Sequence, residues 1–288
     1  MDINKTVYNI IYEPIESNII KQHGSDRFNT NNHFIKDIKP DDYFISIENC
    51  STKNWVNKLN RQYEKIIIDD INDIKFLNKI SILCKMTGKS SKIYEDELLE
   101  FVKKYEKKYE TILTNNKEYF VRSENVSLKY GEYGLIPYTN FRTIIESIIT
   151  CPHGHTPIYS DSKEIILYLF DWVEMNACDE FRIFVKNKKI TCISQQHLYD
   201  NFNLDKVILN NKIKLLIDYF EDTIKQIIDQ PDFSYDFTFV NDTPYFIEPN
   251  SFGKEYAAGS ALFHWLIDYD KLYGLDENKN NIYVRYVV

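Results

Sequence analysis

Apolar and polar positions along this chain alternate with two periods, and the second half carries the clearer pattern. Ile66 to Ile68 is a short β-branched run that predicts a buried strand, and Tyr119 to Arg122 predicts another. Between them, Leu98, Leu99, Val102 and Tyr105 recur at helical spacing within Glu95 to Tyr109. Gly24 to Asn32 and Ser123 to Pro137, the latter with Gly131 and Gly134, read as loops. From Lys163 onward, strand signals follow closely and suggest one sheet: Glu164 to Phe170, a hairpin of Glu180 to Lys186 with Lys189 to Gln195, and a second hairpin from Phe233 to Asn250. An amphipathic helix marked by Ile213, Ile217, Phe220, Ile224 and Ile227 separates the two hairpins.

Side-chain period in a strand is two, so turn length decides which residues share a face. A two-residue turn at Asn187 and Lys188 pairs Arg182 with Ile193 and Glu180 with Gln195. It sends Phe181, Ile183, Val185, Ile190 and Cys192 to one apolar face, and Glu180, Arg182, Thr191 and Gln195 to the other. In the second hairpin a two-residue loop scatters polar and apolar residues over both faces, whereas a three-residue loop, Asn241 to Thr243, separates them. The longer loop is therefore expected. It gathers Tyr235, Phe237, Phe239, Tyr245 and Ile247 on the core face and Asp236, Thr238, Glu248 and Asn250 on the opposite one, with Asp236 across from Glu248. Two facing carboxylates repel, and their oxygens with an amide suit Mg²⁺ carrying nucleotide phosphates. The alternative for such a face is solvent.

Composition narrows the classes. The 288 residues suffice for about two domains, and the net charge of -8 repels nucleic acid and fits a basic partner surface better. No charged-then-apolar leader opens the chain and the longest apolar run, Ile165 to Phe170, is too short to span a bilayer, so a cytoplasmic protein without membrane or direct nucleic-acid contacts is expected. Five widely spaced cysteines predict free thiols.

Four blocks in order carry a family resemblance: Glu180-Phe-Arg-Ile-Phe-Val, Ile193-Ser-Gln, Asp236, and Phe246-Ile-Glu-Pro-Asn-Ser-Phe-Gly followed by Leu262-Phe-His-Trp265. Together they resemble the cell division cycle protein 123 family, clearest from Lys163 to Trp265 and extending back to Phe120-Val-Arg-Ser-Glu-Asn-Val-Ser127. The resemblance implies an α+β, ATP-grasp-like fold whose two lobes, with antiparallel sheets and flanking helices, enclose a nucleotide cleft. It divides the chain into an N-terminal α/β lobe, residues 1–115, and a nucleotide-binding region, residues 116–288. It further implies ATP and Mg²⁺ as ligands and an assembly chaperone that binds the gamma subunit of eukaryotic translation initiation factor 2 without a catalytic residue. Carried over position by position, Asp236, Glu248 and Asn250 become the metal set and Arg182 a phosphate contact. Trp172 and Val173 fall at the adenine hinge, Glu174 beside the ribose, and Glu180 joins the nucleotide set. Arg122 stands where the family usually has a phosphate-contacting Lys, with Lys129 near enough in sequence to contribute. The alternative is an ATP-grasp carboxylate-amine ligase acting through an acyl phosphate at the same residues.

Other signals are weaker. Cys151, His153 and His155 offer three donors at one locus and read as a structural loop rather than a zinc site. His264 beside Trp265 reads as a packed helical residue. The Lys103, Lys104, Lys107, Lys108 stripe, interleaved with Glu100, Glu106 and Glu110, reads as a solvated face.

Overall fold

A computed structural model describes residues 7–31, 40–59, 61–113, 117–159 and 161–288. The expected boundary between residues 115 and 116 lies outside them. The chain forms two compact units, one of residues 1–50 and 174–288 and the other of residues 51–173. Among the described residues the strands are β1 (Asn9–Ile15), β2 (Tyr63–Ile68), β3 (Tyr119–Arg122), β4 (Ile165–Asp171), β5 (Phe181–Lys186), β6 (Lys189–Gln195), β7 (Phe233–Val240), β8 (Thr243–Asn250) and β9 (Asn281–Val287). The α+β class follows the sequence expectation. No described helix is long and apolar enough to cross a membrane, and all five cysteines are free thiols.

In the smaller unit, β2, β4 and β3 form an antiparallel sheet in that order. Helix Glu95–Lys108 buries Leu98, Phe101, Val102 and Tyr105, and helix Phe141–Thr150 buries Ile144, Ile145, Ile148 and Ile149 in the same core. Because β4 pairs here, the strands from Lys163 onward do not make one sheet. The lysine stripe remains largely exposed and reaches acidic partners, Lys104 bonding Asp70 and Asp73 and Lys108 bonding Asp69. Cys151 follows helix Phe141–Thr150 and burial pushes its thiol up to about 11. The His155 ring packs 3.9 Å from that of Tyr130.

The larger unit is built on a six-stranded sheet in the order β1-β9-β6-β5-β7-β8, with β9 parallel to both neighbours and the remaining pairs antiparallel. Both of its faces are covered. On one, helix Lys206–Tyr219 and the π-helical turn Phe220–Ile224 lay Phe220 over Tyr235 at 6.2 Å and Tyr219 against Phe237 at 5.9 Å. On the other, the segment after β8 packs Phe263 and Trp265 edge-on to Phe184, with Phe252, Cys192 and Leu272 completing the cluster. His264 lies in this segment just before a turn rather than in a helix, and its Nδ1 accepts the N–H groups of Leu266 and Ile267.

Both hairpins close with two left-handed residues, Asn187 and Lys188 in the first and Asn241 and Asp242 in the second. Their positive φ matches the strand twist of a tight turn. The three-residue loop expected in the second hairpin is therefore not formed. Asp236 nevertheless sits opposite Glu248, because Val240 pairs Thr243 and Phe237 pairs Phe246 before a bulge at Ile247 shifts the register by one. The bulge does what the longer loop was expected to do. Nearer the turn the faces differ from expectation: Tyr245 pairs with Thr238, and Phe246 takes the core position opposite Phe237.

The first hairpin has its own bulge, at Thr191, whose hydroxyl donates to the carbonyls of Leu272 and Phe184. Past it, Arg182 faces Ser194 rather than Ile193, and Phe181 rather than Glu180 faces Gln195. Cys192 consequently shares the face of Arg182 and Phe184. Gln195 leaves that face, and its amide accepts from Val287 N and donates to the carbonyls of His197 and Asp200.

Candidate functional site

The two bulges align one polar residue from each strand of the six-stranded sheet. Reading across it, Glu13 pairs with Arg285, Arg285 with Ser194, Ser194 with Arg182, Arg182 with Asp236 and Asp236 with Glu248. This row is not the solvated face that the sequence left open, since Arg182 is 9% and Asp236 4% exposed. A charge with so little water must be matched by partners.

At the β8 end, Arg182 grips Asp236 with two parallel bonds, Nε to Oδ1 and Nη2 to Oδ2, each 2.8 Å. Burial opposes the charge on Arg182, but Asp236 beside it outweighs that and raises its pKa. The remaining guanidinium nitrogen, Nη1, donates to the Gly259 carbonyl at 2.8 Å. Only glycine fits at 259, because a Cβ there would lie 2.0 Å from Asn29 Oδ1, and that oxygen is held by Ala261 N. Asn250 Nδ2 reaches Asp236 Oδ2 at 3.4 Å. Thus Arg182, Asp236, Glu248 and Asn250 form one cluster on adjacent strands, as the residue pattern suggested.

Glu180 precedes β5 and stands outside the row, with Oε2 bonded to His197 Nε2 at 2.9 Å. Glu174 is exposed at the start of the same stretch. The other expected nucleotide residues belong to the smaller unit. There Arg122 ends β3, buried, with its guanidinium 5.3 Å over the Trp55 ring. Lys129 is exposed in the turn Leu128–Tyr130, 5.5 Å above the Tyr130 ring. Trp172 and Val173 follow β4, half-buried, and Trp172 N donates to the Glu118 carbonyl at 2.9 Å.

At the β1 end, sequence reasoning missed an entire network. Arg285, 4% exposed, donates to both oxygens of Asp268 at 2.8 Å, to Glu13 at 2.8 Å and to the Leu262 carbonyl. Arg27 makes a second bidentate pair with Asp268, His264 N also donates to Asp268, and Lys271 bonds Glu13. A signal was present. Arg285 is a lone charge inside Ile282-Tyr-Val-Arg-Tyr-Val, a strand otherwise apolar on both faces, where an unpaired guanidinium is untenable.

The donors suit one kind of ion. Among the described residues no group of three or more His, Cys, Asp or Glu side chains could hold a metal by itself. Mg²⁺ asks for less, because it commonly takes one or two carboxylates and completes its shell with water and substrate phosphates. Asp236 and Glu248 could offer those carboxylates and Asn250 an amide oxygen. Asp236 Oδ1 retains a second lone pair beyond its Arg182 bond, whereas Oδ2 also accepts from Asn250 Nδ2.

Residues 148–287 match the D123 family. No curated protein matches the chain. Among solved structures it is similar to C-terminally truncated Cdc123 from Schizosaccharomyces pombe, with TM-score 0.57 and 18% identity over 84% of this chain and 97% of that one. A second structure of Cdc123 from that organism gives TM-score 0.54 at the same identity and coverage. These two likenesses show that the chain has the Cdc123 fold. An ATP-grasp RimK domain protein from Sphaerobacter thermophilus aligns loosely, with TM-score 0.36 and 9% identity over 71% of this chain and 60% of that one.

Proposed function

We propose that this chain, whose residues 148–287 belong to the D123 family, is an ATP- and Mg²⁺-binding assembly chaperone that takes the gamma subunit of eukaryotic translation initiation factor 2 as its client. The observation that carries the ligand part is the cluster at the β8 end of the row, where buried Asp236 faces half-buried Glu248 with half-buried Asn250 beside them and buried Arg182 opposite. Two neighbouring carboxylates attract a cation, and hard oxygens favour magnesium. Magnesium bound there would neutralise phosphate charge. Asp236, Glu248 and Asn250 would hold the ion, and Arg182 would offer its charge to a phosphate while keeping Asp236 oriented.

The client part rests on the family and on the net charge of -8, which favours a basic partner surface. In this reading ATP is a ligand that stabilises the fold by mass action.

Calorimetric titration of the full chain with ATP tests the ligand reading. Heat of binding is expected with Mg²⁺ and not with EDTA, and Glu248→Gln or Asn250→Ala should weaken it at least about tenfold, a loss of about 1.4 kcal/mol. The wild-type chain giving no heat would end the nucleotide assignment. Capture of purified gamma subunit by ATP-loaded chain tests the client, and no capture would end that part alone.

A further inference from the structure

Three side-chain hydroxyls on β7 are fully buried with no hydrogen-bond partner among the described residues: Ser234 Oγ, Tyr235 OH and Thr238 Oγ1. Leaving such a group unsatisfied costs about 1–3 kcal/mol, so three within five residues call for a reason. Strand alternation separates them. Tyr235 turns to the helix-covered face, where its ring meets Phe220 at 6.2 Å and Phe246 at 5.8 Å. Ser234 and Thr238 turn the other way, two residues before and two after Asp236 and on its face. Ser234 stands opposite Asn250 and Thr238 opposite Tyr245, so the pair brackets the Asp236 and Glu248 carboxylates along the strand.

We propose that Ser234 and Thr238 are further ligand-binding residues of this cluster, taking their missing hydrogen bonds from the phosphate oxygens of a nucleotide or from water bound to its magnesium. The inference rests on the nucleotide reading above. A hydroxyl suits either role, since it donates to a phosphate oxygen and accepts from a metal-bound water. The free protein carries the cost of two dry hydroxyls, and the ligand removes it. Tyr235 shares the dryness without the position, which makes it the internal control.

The experiment measures the melting temperature without ligand and the calorimetric affinity for ATP with Mg²⁺, on the full chain and on Ser234→Ala, Thr238→Val and Tyr235→Phe. All three variants should melt at or up to about 2 to 4 °C above the wild type without ligand, because each deletes an unsatisfied group. Ser234→Ala and Thr238→Val should bind the ligand about five- to tenfold more weakly, and Tyr235→Phe within about twofold of wild type. Thr238→Ser, which keeps the hydroxyl, should restore most of the affinity and decides the matter if Thr238→Val folds poorly. Unchanged affinity in both Ser234→Ala and Thr238→Val overturns the inference and leaves the nucleotide reading standing. A lower melting temperature in those two variants also overturns it, by showing that the hydroxyls are already bonded in the free protein. A wild-type chain that does not bind the nucleotide removes both.

Discussion

The two ends of the polar row are built from the same parts and finished differently. At the β1 end Asp268 receives four bonds from Arg285 and Arg27 and a fifth from His264 N, while Glu13 binds Arg285 and Lys271. Three cations enclose two carboxylates there. At the β8 end a single guanidinium serves Asp236, which faces a second carboxylate, Glu248, and lies between two dry hydroxyls. A network whose donors and acceptors are matched fixes a structure, and the dry hydroxyls leave the β8 end the less completely matched of the two. Both sit within one sheet, so strand position does not distinguish them; the guanidiniums on the buried aspartate do, two on Asp268 and one on Asp236.

The largest effect expected from breaking this comparison is at the closed end. Arg285→Ala leaves Glu13 and Asp268 short of their buried partner and should cost about 3–5 kcal/mol in chemical denaturation. Added Mg²⁺ should not restore it. A loss below about 1 kcal/mol would show that Arg27 and Lys271 carry the network without Arg285.

Acid should dissect the same end with a somewhat smaller effect. Burial by itself would raise the Asp268 pKa, but the bonds from Arg285 and Arg27 outweigh it and bring the value to about 2, below the ordinary 3.8. A folded pKa below the unfolded one gives stability that is fully present above pH 3.8 and fades as pH falls toward about 2. The full contribution is about 2.5 kcal/mol. Denaturation midpoints followed between pH 5 and pH 2 should show a shallower acid limb in Asp268→Asn than in wild type. Parallel limbs would contradict it.

The open end should respond to magnesium where the closed end does not. Arg182→Ala removes the charge between Asp236 and the rest of the row, and millimolar Mg²⁺ should then return about 1.4 kcal/mol at ten times its dissociation constant. Thermal unfolding with and without the ion reads this directly. An equal response in Arg285→Ala would erase the distinction between the ends.

Some of this was legible in the residues. The strand at Ile66 to Ile68, the helix beginning at Glu95 and both hairpins follow from local period and turn chemistry and fold as expected, and the helix marked from Ile213 to Ile227 forms with a π-helical turn over Phe220–Ile224. The pairing of Asp236 with Glu248 was also legible, although through the wrong turn. Apolar alternation demanded that register, and the chain reached it with Asn241 and Asp242 in left-handed geometry and a bulge at Ile247. In the first hairpin the turn was read correctly and the register was not, because the Thr191 bulge is secured by a carbonyl 81 residues away, that of Leu272.

What the sequence by itself determined is local: which segments extend or coil, which side chains are apolar, and that carboxylates stand near Arg182. Only the tertiary structure decided that Arg182 and Asp236 are dry. It alone placed Gly259 on Arg182 and Asp268 on Arg285. It also decided that Arg285 joins the same row, through the parallel pairing of β9 with β1 and β6. Hydrophobic period is set by neighbours one to four residues apart, whereas the matching of buried charges is set by whichever distant chain closes over them.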